Sequence, residues 1–399
     1  MRTFSWCKII GKRFPVCHVH MDGTVVKVSS LESTRSNMDM ELSHDIEAPT
    51  GCNKKDHLRW MNCLKRDFTI NGLIFDPYSR IVYDYIGGIE DIRKAKVQTI
   101  FPAATEDHGL SDSIFSAAHI LRAIRIAASL GFSISKEIAQ FVKNQSSSVL
   151  RLDKVRILME MNNMLAYGSG ESSLRLLWKF GLLDILLPFQ AAYFVRHGFP
   201  RRDKRTNMLL SFFSNLDKLL GPNRPCHSSL WVGILALHKT LSDRPRDPLV
   251  VAAFSLAVHN GGNLLEAVNI ARMINKPHDV RFPELLDLSG LNAESLEAEI
   301  LDLAESVRGT LLQMTNEYFV SQAMADYPAA PHSDLVFIPL GLYLQTCSIF
   351  DCVKVRADKK FLSKPGRVID FESLANGNLK EIRHVFARII FDTVYPTSP

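Results

Sequence analysis

The sequence predicts an α+β protein, a small head of short strands followed by a large all-helical body. Three observations carry that reading. The first hundred residues alternate short apolar runs with Asp-Gly, Asp-Pro and Gly-Gly breaks, the marks of strands and tight turns. From about Ser113 onward the apolar period becomes that of amphipathic helices. The chain has 399 residues, 46% of them hydrophobic and 22% charged, enough for two or three domains around a sizeable core.

The elements follow in order. The basic, acid-free start MRTFSWCKIIGKRF leads without a linker into a strand pattern, which favours structure over a targeting segment. In FPVCHVHMDGTVVKV, Asp22-Gly23 between two alternating runs predicts a hairpin. Its register sets Met21 against Thr24, His20 against Val25, Val19 against Val26, His18 against Lys27 and Cys17 against Val28. One face then carries Cys17, Val19, Val26 and Val28 as a core face, and the other His18, His20, Val25 and Lys27. A metal on His18 and His20 is disfavoured by the cation of Lys27 beside them.

Residues 32–56 are polar and aperiodic, a long mobile loop. A short helix starts at about Asp56, and Phe68, Ile70 and Leu73 alternate like a strand. Gly87-Gly88 reads as a turn into a helix. The run Ser116–Leu130 puts Ala117, Ile120, Leu121, Ile124 and Ala128 on one stripe, with Gly131 as its stop. Further helices are predicted at about 151–166, 171–180, 205–220, 228–241, 247–259, 294–325 and 376–395. Three regions result: a head over 1–102, neck helices over 103–190 and a helical body over 191–399.

Composition removes several functional classes. The longest charge-free apolar stretch, Pro248–Val258, is too short to span a bilayer, so no membrane partner is expected. Seven cysteines with no CxxC pair predict reduced thiols in an intracellular, reducing compartment, not a disulfide framework or a zinc site. The net charge of +5 is mild, so nucleic-acid affinity has to come from local clusters.

Two such clusters stand out. Arg196–Arg205 holds Arg196, Arg201, Arg202, Lys204 and Arg205 against one acid, Asp203, and Lys354–Arg367 adds six more cations. Neutralising several phosphates in this way gives salt-dependent, sequence-independent affinity. His238 in LALHKTL reads as a core-edge histidine.

Four blocks occur in order: GKRFPVCHVH (Gly11–His20), KRDFTINGLIFDP (Lys65–Pro77), YDYIGGIEDI (Tyr83–Ile92) and ILRAIRIAASLGFSI (Ile120–Ile134). Together they resemble the bacterial-type poly(A) polymerase and CCA-adding tRNA nucleotidyltransferase family, over about Phe4–Phe189. The resemblance implies a nucleotidyltransferase-type head, an RNA-gripping helical body, RNA 3′ ends (of tRNA or other RNA) as partners, and Mg²⁺ with ATP or another NTP as cofactors. The implied reaction adds AMP or CMP to RNA, by positioning and charge neutralisation at two metal ions. It implies nucleotide contacts for Arg66, Asp67 and Asn71 and for Arg122 and Arg125. Gly87, Gly88 and Asp91 take the place of the family's hinge. Lys65 stands where the family has arginine, keeping charge without the bidentate fork.

The chain also departs from the pattern. The family's GGxVRD segment and Asp-x-Asp pair precede GKRF, yet residues 1–11 contain no acid. The hairpin position that carries Glu in polyadenylating members is Lys27, and a cation there repels Mg²⁺. The base-reading EDxxR positions are Phe115, Ser116 and His119. No catalytic or metal-ligating residue is therefore assigned. The expectation is an incomplete head with the Phe14–His20 strand left as an unpaired edge open to association, and an RNA-binding, non-catalytic relative or partner of an intact paralogue. Asp67, Asp76, Asp84 and Asp91 are the only acids from which a substitute metal pair is drawn.

Overall fold

The computed structural model describes residues 6–10, 16–21, 24–28, 51–100, 117–288, 290–324, 335–354 and 368–396. The chain divides into two compact units, Met1–Pro102 and Ala103–Pro399. Residues 29–50, Phe115, Ser116 and most of the second basic run lie outside the described residues, and with them most of the predicted 32–56 loop.

In the head, β1 (Trp6–Ile10), β2 (Val16–Met21) and β3 (Thr24–Val28) form an antiparallel sheet in that order. The β2–β3 register is the one derived from Asp-Gly: Met21 pairs with Thr24 and Cys17 with Val28. The unpaired-edge expectation is corrected, because β2 is the central strand and β1 pairs with it from Trp6↔His20 to Ile10↔Val16. The acid-free start supplies that partner. The expected core face is corrected too. Ile9, Val26 and Val28 are 71%, 43% and 49% exposed on it.

Helix α1 (Lys54–Leu64) begins two residues earlier than predicted because Asn53 caps it, accepting from Asp56 N–H. The expected strand around Phe68–Leu73 is a single extended residue, Phe68, bridged to Thr99, followed by a 3₁₀ turn at Thr69–Asn71. The side-chain bond from Asn71 to Asp67 closes that turn, so local polar chemistry overrides the apolar alternation. A small hairpin, β4 (Ile74–Asp76) with β5 (Ile81–Tyr83), precedes α2 (Gly88–Arg93).

The second unit is helical: α3 (Ala117–Leu130), α4 (Lys136–Gln145), α5 (Lys154–Leu165), α6 (Gly170–Lys179), α7 (Pro188–Arg196), α8 (Met208–Leu219), α9 (Ser228–Asp243), α10 (Pro248–His259), α11 (Leu264–Arg272), α12 (Ala293–Thr315), α13 (Glu317–Met324), α14 (Leu340–Phe350) and α15 (Leu379–Val394). On α3 the apolar stripe is the core face, with Ile120, Leu121 and Ile124 fully buried. The predicted 294–325 helix is two, because Asn316 leaves helical geometry and its side chain accepts from Tyr318 N–H. Helices α9, α10 and α15 form the apolar centre around Trp231, Phe254 and Phe386. His238 lies inside that core, edge-on to Tyr193 and 3.7 Å from buried Glu284. No helix among the described residues is long and apolar enough to cross a membrane. All seven thiols are free.

Candidate nucleotide and RNA interface

The head brings Arg66, Asp67 and Asn71 into one turn. Helix α1 ends at Leu64, so Lys65 and Arg66 leave it exposed. Arg66 donates to Asn62 Oδ1 at 3.1 Å. Half-buried Asp67 accepts from Phe68 N–H and, at 2.8 Å, from Asn71 Nδ2. The carboxylate thereby orients Asn71, and the exposed charges of the motif are Lys65 and Arg66.

The Gly87-Gly88 turn is fastened to the same region. Gly87 has φ +82°, a left-handed geometry open to glycine at no steric cost. A Cβ on Gly88 would come within 2.5 Å of the Thr69 carbonyl oxygen. Asp84 accepts from the N–H groups of Ile86, Gly87, Gly88 and Ile89, capping α2. Burial works to raise its pKa, but those four donors hold it below the ordinary carboxylate value. Asp91 is buried and accepts from the Thr69 hydroxyl at 2.6 Å.

A cluster that the sequence reading missed lies alongside. Arg59, 6% exposed, donates to Asp56 at 3.1 Å and to Asp76 at 3.2 Å, and sits 3.9 Å from the centre of the Tyr83 ring. The Tyr85 hydroxyl donates to Asp56. The i,i+3 spacing of Asp56 and Arg59 on α1 was its one visible signal.

Arg122 and Arg125 belong to the other unit. Both are half-buried, and Arg125 donates at 3.1 Å to Glu160, a carboxylate 1% exposed that also takes Arg156 at 2.9 Å. Glu160, 35 residues away, draws Arg125 inward.

In the basic segment the single-acid count fails for the same reason. Arg201 pairs with Asp184 at 2.7 Å, donates to the Trp178 carbonyl and stacks 3.7 Å from the centre of the Trp178 ring. Arg205 holds Asp203 and donates to the Gly198 carbonyl. Arg175 supports the loop through the carbonyls of Asp203 and Arg205. Arg202 and Lys204 are exposed and make no ion pair among the described residues, and Arg196 is exposed beside them.

Two family models match. Residues 2–98 match the "Poly A polymerase head domain", and residues 131–194 match the "Probable RNA and SrmB- binding site of polymerase A". These two segments resemble the bacterial-type poly(A) polymerase and CCA-adding family. Relatives include poly(A) polymerase I of Escherichia coli, 26% identical over 200 residues, covering 49% of this chain and 42% of that protein. The multifunctional CCA protein of Xanthomonas campestris is 32% identical over 145 residues, covering 35% of this chain and 32% of that protein. The chain thus spans less than half the length of these relatives. Among solved structures, the Bacillus stearothermophilus CCA-adding enzyme with CTP is 14% identical, with TM-score 0.36 over 88% of this chain and 79% of that one. A tRNA-processing enzyme with CTP is 16% identical, with TM-score 0.39 over 94% and 83%.

Magnesium, which the family implies, does not fit the donors present among the described residues. Asp67, Asp76, Asp84 and Asp91 each serve local structure: Asp67 holds Asn71, Asp76 accepts from Arg59 and two turn N–H groups, Asp84 caps α2, and Asp91 takes Thr69.

Proposed function

We propose that these 399 residues bind RNA through residues 131–205 and work as a non-catalytic RNA-processing relative, or as the partner of an intact paralogue. The observation that carries the reading is continuity. The family's RNA-binding segment ends at residue 194, and exposed Arg196, Arg202 and Lys204 follow it directly. Arg202 and Lys204 hold no acid among the described residues, and cations of that kind release counterions when phosphates arrive. Support for lost transfer comes from the acids committed to structure in the head and from Lys27 at the place of a carboxylate.

The second reading keeps the family reaction, Mg-dependent addition of AMP or CMP, and is favoured by the intact Arg66–Asp67–Asn71 turn, which would meet the incoming nucleotide. One experiment separates them. The chain is incubated with labelled ATP or CTP, Mg²⁺ or Mn²⁺, and a tRNA lacking its 3′ end. RNA binding without extension is expected. Extension above a no-enzyme control would overturn the non-catalytic reading, since each lost electrostatic clamp is worth roughly 3 kcal/mol of barrier.

A further inference from the structure

The sheet register lines up three basic side chains. Lys8 lies opposite His18, and His18 lies opposite Lys27. Alternation along each strand puts all three on one face, in a single row across β1, β2 and β3. The neighbouring described residues, Cys7, Ile9, Cys17, Val19, Val26 and Val28, fall on the other face by the same rule. Lys8 and Lys27 are exposed and His18 is half-buried.

Lys8 and Lys27 flank His18 from either side, two strands and about 10 Å apart, and like charges on one sheet face repel. Nothing in the three strands offsets this row. WCKII, VCHVHM and TVVKV contain no acid, and none of the three residues holds a carboxylate among the described residues. Two flexible ammonium groups with an imidazole between them reach over one patch of surface. Ammonium groups bind phosphate as point charges, and an imidazole N–H adds a directed donor.

We propose that Lys8, His18 and Lys27 form a metal-independent phosphate site on the head, taking the phosphates of a nucleoside triphosphate or of an RNA backbone. The site goes beyond the RNA reading of the body and stands on head residues alone. It also accounts for the misfit with magnesium: fixed cations neutralise the phosphate where family resemblance would put a carboxylate holding a metal.

The test uses the full chain in EDTA at low salt, with inorganic tripolyphosphate, ATP and a single-stranded RNA oligonucleotide as probes. Three forms are compared: wild type, Lys8→Gln/Lys27→Gln, and Arg202→Ala/Lys204→Ala. Wild type is expected to bind tripolyphosphate and ATP without divalent metal. The head variant is expected to lose about tenfold or more in affinity, with unchanged circular dichroism and melting, while the body variant keeps tripolyphosphate affinity. Lys8→Arg/Lys27→Arg, which preserves charge, is expected to retain binding. A loss in the head variant confined to RNA supports the site with an RNA backbone as its ligand. No metal-free binding of any probe by wild type, or equal affinities in wild type and the head variant, overturns it. Because the body variant reports separately, failure here is distinguishable from failure of RNA binding through residues 131–205.

Discussion

In the head, Asp84 is tied down by N–H groups of its own turn, whereas in the body Glu160 and Asp184 are tied down by arginines from beyond their own turns. Asp84 takes four backbone donors within five residues of itself. Glu160 takes Arg125 from across the fold, and Asp184 takes Arg201. Local capture is readable from a short stretch of sequence. Distant capture is not, because a charge count along the chain does not see which acid folding brings near. The difference also marks which charges are structural and which remain for a ligand.

The largest effect expected from breaking this contrast is in the body. Arg125→Ala/Arg156→Ala strands the buried Glu160 carboxylate. Stripping a fully buried pair of its partner costs about 3–5 kcal/mol, and the partial exposure of both guanidiniums lowers this to about 2–3 kcal/mol. Chemical denaturation of the full chain measures it. A cost below about 0.5 kcal/mol would return Arg125 to the pool of ligand-facing cations.

Next comes the head. Asp84→Ala removes the cap of α2 and orphans several N–H groups, for an expected loss of about 1–2 kcal/mol. Because Asp84 titrates below the ordinary carboxylate value in the folded state, its stabilisation is present above that ordinary value and fades as pH falls through the lower folded one. Denaturation of wild type and Asp84→Ala across acid pH checks the sign. Their difference should shrink toward low pH, and a constant difference would show that the charge contributes nothing.

Gly88→Ala sharpens the same comparison. Its Cβ meets the Thr69 carbonyl at 2.5 Å, and rigid backbone on both sides makes the strain about 1–3 kcal/mol. Gly87→Ala, which meets no atom within 4 Å, pays only for a left-handed φ, about 1 kcal/mol. If Gly88→Ala melted like wild type, the turn would be loose enough to serve as the hinge that family resemblance assigns to Gly87, Gly88 and Asp91.

The sequence disclosed much of this architecture and only part of the site. The β2–β3 register followed from Asp22-Gly23, since turn chemistry fixes which residues face each other. The α3 stripe followed from periodicity alone. The strand expected at Phe68–Leu73 failed because the Asp67–Asn71 bond decides a local turn that hydropathy does not encode. Helices α4, α7, α11 and α14 went unread, α7 because seven of its nine residues are buried and a helix buried nearly all round shows no polar face. The Lys8–His18–Lys27 row was half legible: the hairpin set His18 against Lys27, but β1 had to be seen pairing before Lys8 joined.

The smallest effect on stability, and the most informative for RNA, separates two kinds of cation within one segment. Arg201 is locked by Asp184 and the Trp178 carbonyl, and Arg205 by Asp203, so their loss should cost stability first. Arg202 and Lys204 are exposed without an acid, so Arg202→Ala/Lys204→Ala should change stability by less than about 0.5 kcal/mol. The same variant should flatten the salt dependence of single-stranded RNA binding by about 0.7 per lost phosphate contact, roughly 1.4 for both. Arg201→Ala/Arg205→Ala should shift the melt more and the salt slope less. RNA titrations at several salt concentrations, paired with thermal melts, give both quantities for each variant. The reverse pattern would show that the ion-paired arginines release their acids to take phosphate, and that contacts within the folded chain do not predict which cations meet RNA.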